Sequence, residues 1–147
     1  MPARLLRGRS PKAWMTCNAV YSGSPWEARV AYCRAKRVND LIFVSGTVAV
    51  DSNGTPIAPG DTYLQARYAL EKIQRALEQL GATLGDVVRT RTFLTSIGKF
   101  EDFARAHREA FAGIDPVATC VEIGRLVSPE YVVEIEVDAV VGAGARG

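Results

Sequence analysis

Apolar positions along the chain change their period several times, and each change marks an element. The run RVAYCRAKRV from Arg29, the dipeptide Asn39-Asp40 and the run LIFVSGTVAV read as two strands joined by a tight turn, because β-branched and aromatic residues flank two polar turn formers. DSNGTPIAPGD then packs Gly54, Pro56, Pro59 and Gly60 close together, a density that regular structure does not tolerate, so it is a loop. Asp61 or Thr62 is placed to cap a helix in which Ala66, Ala69, Leu70, Ile73, Leu77 and Leu80 recur at three- and four-residue spacing before Gly81. The opposite side of that helix carries Arg67, Glu71, Lys72, Gln74, Arg75 and Glu78, so it lies on its support with one face.

DVVRTRTFLTSI predicts a further strand, and after Gly98 the residues Phe100, Phe103, Ala104, His107 and Phe111 form the stripe of a second helix ending near Gly113. Two more β-rich runs follow, split at Ser128-Pro129-Glu130. The order is β-β-α-β-α-β-β, and helices with a single apolar stripe among such strands predict a two-layer α+β domain with both helices on one sheet face.

The last strand alternates. Val133, Ile135, Val137, Ala139 and Val141 point one way and Glu134, Glu136 and Asp138 the other, while the strand before it sets Arg89, Arg91 and Phe93 against Val88, Thr90, Thr92 and Leu94. The polar faces of the two strands therefore match in charge, and a phenylalanine among the charges points to partial burial. Nothing left in the chain can cover that face, which predicts an oligomer with small-molecule sites between subunits.

Composition narrows the class. The chain has 147 residues, of which 48% are hydrophobic and 23% charged, enough for one domain with a self-sufficient core. Eighteen Lys and Arg against sixteen Asp and Glu leave +2, too small an excess to favour nucleic acid. Three cysteines (Cys17, Cys33, Cys120) and one histidine argue against a zinc site and a disulfide framework. No apolar run is long enough to span a bilayer, and a cytoplasmic location is expected. Residues 1–19 read as a basic tail, carrying Arg4, Arg7, Arg9 and Lys12 with no acid, ahead of one domain at 20–147. That tail fits either a targeting segment or a start site misplaced upstream of Met15.

SGSPWE (22–27), VSGTVAVD (44–51), the 69–95 run ALEKIQRALEQLGATLGDVVRTRTFLT and VEIEVDAV (133–140) occur in the order in which they resemble the reactive intermediate deaminase family, also called RidA or YjgF. The resemblance spans Val20 to Val141. It implies a chorismate-mutase-like α+β subunit, a homotrimer with inward-facing sheets and a ligand cleft at each interface. Active members hydrolyse enamines and imines, such as 2-aminoacrylate, to a 2-oxo acid and ammonia without metal or cofactor; others have been described as ribonucleases or translation inhibitors.

Carried over residue by residue, the resemblance places the family's cleft aromatic at Tyr32, its Ser-Gly at Ser45 and Gly46, its cleft cysteine at Cys120 and its acid at Glu134, the last with one extra residue in the Ser128-Pro129 turn. The family's carboxylate-binding arginine falls on Ala118, which cannot form the paired charge-assisted bonds of a guanidinium. Arg34 and Arg125 are the cations available from other directions. Glu134 is expected to orient water and move protons, with Tyr32, Ser45, Gly46, Cys120 and Arg125 binding substrate. Against this stand an interface ion pair of Glu134 with Arg89, Arg91 or Arg125, and plain packing for Cys120. His107, on an apolar stripe without a partner in sequence, reads as a packed histidine. The rival functions are a trimer that binds a keto acid or aromatic acid without turnover, favoured by Ala118, and ribonuclease action, for which the sequence offers no histidine pair.

Overall fold

The computed structural model describes residues 17–146. Six strands and three α-helices follow in the order β1 (Cys17–Val20), α1 (Pro25–Val30), β2 (Ala35–Val38), β3 (Leu41–Thr47), α2 (Thr62–Gln79), β4 (Val87–Leu94), α3 (Phe100–Phe111), β5 (Val117–Glu122) and β6 (Val133–Val140). The strands form one sheet in the order β1-β2-β3-β6-β4-β5, in which only β4 and β5 run parallel. The α+β class and the order of the later elements are as the patterning predicts.

The tail boundary at residue 19 is corrected: Cys17–Val20 pairs with Ala35–Val38, because the free edge of β2 offers its backbone groups to the preceding chain. The basic stretch proper, with Met15, lies outside the described residues. A second correction falls on the run from Arg29. Ser24 caps a short helix with Pro25 at its first turn, Ala31 ends it in the left-handed region at φ 63°, and β2 starts only at Ala35. Local capping outweighs the β propensity of the intervening residues.

Helix α2 begins where Asp61 accepts from the Leu64 N–H at 2.9 Å and buries Ala66, Ala69, Leu70, Ile73 and Leu77. These pack on Ile42 and Val44 of β3 and on Ile135 and Val137 of β6 in one core. The stripe of α3 is narrower than expected: Phe103, Ala106 and Phe111 are buried, whereas Phe100 is exposed and Ala104 half-buried. On β4 a register shift between Val87 and Arg89 puts Val87 in the core and leaves Val88 exposed, so the inward face there is Val87, Thr90, Thr92 and Leu94. The bulge inserts one residue and turns the alternation over.

Both long helices cover one face. The other carries Phe43, Arg89, Arg91, Phe93, Thr119, Val121, Glu134, Glu136 and Asp138, matched across strands by register. Leu41 and Phe43 are each 48% exposed there and Val117 62%. No helix among the described residues is long and apolar enough to cross a membrane.

Candidate active site

The site grows from three backbone devices. SGSPWE folds on its own glutamate: Glu27, buried, accepts from the Ser22 N–H at 3.0 Å, the Ser22 hydroxyl at 2.6 Å and the Gly23 N–H at 3.3 Å. Tyr32 is tied back by its N–H to the Glu27 carbonyl at 3.0 Å, and the Arg34 N–H reaches the Val20 carbonyl at 2.8 Å. Between β3 and β6 the register slips between Val44 and Thr47, a bulge that sets Ser45 and Gly46 out of step with the strand opposite.

The bulge brings an acid and a cation to the same peptide unit. Arg34 Nη2 donates to the Gly46 carbonyl at 2.9 Å and also to Ser45 Oγ. Glu134 lies over Gly46 so closely that a Cβ there would stand 2.9 Å from Glu134 Cδ and 3.3 Å from its Cγ. The missing side chain of Gly46 is thus the space that holds the carboxylate. Tyr32, Arg34, Gly46, Lys72, Tyr131 and Glu134 line a cleft of about 200 Å³.

Burial raises the pKa of Glu134; Arg34 opposes that shift and Glu136 adds to it. Burial also draws the Lys72 ammonium down to about 8, with Arg34 contributing by repulsion. Lys72 was expected among the solvent-side charges of its helix, but its Nζ donates to the Val48 and Val50 carbonyls at 3.2 and 2.9 Å. Its place four residues before buried Ala76, at the border of the apolar stripe, was the only signal. Gln65, also unforeseen, is buried and donates through Nε2 to the carbonyls of Ile57, Ala58 and Glu130 while Oε1 accepts from the Val132 N–H. It fixes the loop that delivers Tyr131.

The structure does not gather every expected residue in one chain. Cys120 pairs with core-facing Thr92, whereas Glu134 pairs with Phe93 on the other face, so one subunit alone cannot bring Cys120 and Glu134 together. Cys120 and Ala118 instead line a separate cavity of about 540 Å³ against α3, and burial pushes the Cys120 thiol up, away from the reactive thiolate. Arg125 is exposed and is absent from the cleft lining within one subunit, to which its loop contributes Val127; the cations there are Arg34 and Lys72. Arg91 is the residue that pairs with Glu136, at 2.9 Å, and with Asp138, at 3.7 Å. His107 is packed between Phe103 and Phe111, with ring centroids at 5.4 and 4.7 Å, and meets Thr90 Oγ1 through Nε2 at 2.9 Å.

Comparison with known proteins adds relatives of the same size. A family profile described as Endoribonuclease L-PSP matches residues 23–141. An uncharacterized protein of Streptomyces coelicolor is 32% identical over 84% of this chain and 92% of its own length, and a RutC family protein of Pyrococcus abyssi is 33% identical over 71% and 82%. A crystal structure from Mycobacterium tuberculosis, of a member of the YjgF/YER057c/UK114 family, superposes with a TM-score of 0.78 at 41% identity, covering 86% of this chain and all of that one.

Proposed function

Because the chain belongs to the Endoribonuclease L-PSP family, the YjgF family of its structural relatives, we propose that it is a cytoplasmic hydrolase of small reactive enamines and imines, working in a cleft between the subunits of a homotrimer. The observation that carries this reading is the half-buried Glu134 carboxylate seated over Gly46 beside Arg34. A carboxylate with a raised pKa exchanges protons nearer neutrality than an exposed one.

In the proposed step the substrate is the protonated imine, which an enamine reaches by gaining a proton at carbon. Glu134 takes a proton from water as the water oxygen bonds to the imine carbon, and the C=N electron pair moves to nitrogen. The resulting carbinolamine receives that proton on its amine, the C–N bond breaks as the hydroxyl oxygen forms the carbonyl and loses its own proton, and ammonia departs. Tyr32 and the Ser45-Gly46 bulge hold the ligand, and Cys120 of another subunit lines the cleft. The uncovered apolar residues Phe43, Val117 and Val121 on the open sheet face support self-association.

The test is hydrolysis of 2-aminoacrylate generated in situ by a dehydratase, followed through a trapped derivative. Glu134→Gln should lose about 10²–10⁴-fold in turnover while assembly is kept; unchanged turnover removes the role of Glu134. Ala118 supports a second reading, a trimer that binds a keto acid or aromatic acid without turnover, in which such acids raise the melting temperature but no imine is consumed. Ribonuclease action draws support only from the family's name. Arg91 is engaged by Glu136 and Asp138 on the open face, a mixed surface rather than the run of cations that a phosphate backbone needs.

A further inference from the structure

We infer that Arg34 and Lys72 form an anion subsite in this cleft, binding the carboxylate of a small organic acid from a different direction than a side chain at Ala118 would. The inference rests on the Glu134 cleft proposed above and names the chemistry of its ligand.

Arg34 is only 7% exposed, and both hydrogen bonds of its guanidinium leave from Nη2. Its Nε is buried and has no hydrogen-bond partner among the described residues. Lys72 is held by two carbonyls, which satisfy donors without neutralising charge. Neither cation forms an ion pair within 4.0 Å among the described residues. Cations taken out of water without a counterion are costly, and a protein that keeps two of them side by side is poised for an anion.

The nearby acids meet that need only in part. Glu27 on α1 is engaged by Ser22 and Gly23. Asp51, after β3, accepts from the N–H groups of Asn53 and Thr55 in its own turn. Glu27 and Glu134 both attract Arg34, but neither closes to an ion pair within 4.0 Å among the described residues, so its charge is only partly offset. Arg75 on α2 adds further positive charge, so the field at Lys72 is set by Arg34, Glu27, Arg75 and Asp51 together.

There is also room for an acidic group. The cleft of about 200 Å³ and an adjoining cavity of about 260 Å³ share both cations as lining. The guanidinium bonds the Gly46 carbonyl while Glu134 lies over the Cα of the same residue. A carboxylate held by Arg34 and Lys72 therefore leaves the neighbouring carbon of the ligand on the Glu134 side. The brace that Arg34 gives the bulge uses Nη2 alone, so structure by itself does not account for the buried, unpartnered Nε.

The test compares 2-oxobutanoate with 2,3-pentanedione, a neutral ligand of similar shape, by titration calorimetry of the full chain. The acid should bind more tightly than the dione, and its affinity should fall about tenfold as pH rises through about 8, where Lys72 loses its charge. Binding of the dione should be flat with pH. Arg34→Gln should cut the preference for the acid over the dione about 30-fold or more, the range for leaving a buried charge pair half made, whatever loss of the bulge's brace the two ligands share. Lys72→Gln should remove the pH dependence. If Arg34→Gln does not fold, Arg34→Lys and Lys72→Gln carry the test, the former keeping the preference for the acid and the latter losing its pH response. Equal binding of acid and dione, no binding of the acid at millimolar concentration, or a pH response unchanged in Lys72→Gln overturns the inference. Imine turnover that is blind to these variants sinks the subsite and leaves the hydrolase standing. Arg34-dependent binding of the acid without any turnover does the reverse.

Discussion

Gly46→Ala separates the fold from the site. The added Cβ would stand 2.9 Å from Glu134 Cδ, whereas carbons at optimal separation lie about 3.5–4.0 Å apart. The carboxylate must therefore recede by about 0.6–1.1 Å. Because it is the end of a flexible side chain, the fold yields cheaply, and replacing a strand glycine recovers about 0.5–1 kcal/mol of chain entropy. Stability should stay within about 1 kcal/mol of the parent, read by urea unfolding. The chemistry should suffer far more, since a displacement near 1 Å costs about 10²-fold in a positioned reaction. Imine hydrolysis at saturating and limiting substrate would show the loss mainly in kcat. Two results refute the reasoning: kcat within threefold of the parent, which would mean that the position of the carboxylate does not matter, or a stability loss beyond about 2 kcal/mol, which would mean that Glu134 is locked in place by the core.

Further outcomes follow from the same geometry. Gln65→Leu deletes three donated bonds and one accepted bond and should cost about 3–6 kcal/mol with weakened ligand binding; a loss under 1 kcal/mol in urea unfolding would contradict the bracing role. The acid limb of the kcat/KM profile should lie above the ordinary carboxylate value of 4.5, because burial and then Glu136 raise Glu134 against the opposing Arg34. Glu136→Gln should move that limb to lower pH, and a limb that stays or rises counts against Glu134 as the titrating base. The same sign governs stability: a carboxyl that holds its proton longer when folded contributes stability that is present at low pH and is lost as pH rises through its raised value. Val117→Asp should dissociate the assembly, as read by light scattering, if the open sheet face is the interface; an unchanged mass would move the interface elsewhere.

Much of the fold was legible in the sequence because it rests on period. The 3.6-residue spacing of α2 and the strict alternation of β6 state which side chains must leave water, and the burial of Ile73, Leu77, Ile135 and Val137 follows. Capping chemistry and bulges act over two or three residues and can invert a face without changing composition, so α1 and the exposed Val88 were not readable that way.

The sequence by itself determined the α+β class, the core faces of α2 and β6 and, through four ordered motifs, the family. It also named Tyr32, Gly46, Arg34 and Glu134, residues that the structure brings to one cleft. Only the tertiary structure decided that Lys72 leaves the solvent side of its helix for that cleft, that Arg34 rather than Arg125 supplies a cation there, and that Cys120 and Glu134 point from opposite faces of one sheet. The physical reason is range. Periodicity records which side of an element is apolar, whereas a site depends on strand order, register slips and the reach of long side chains between elements far apart in sequence.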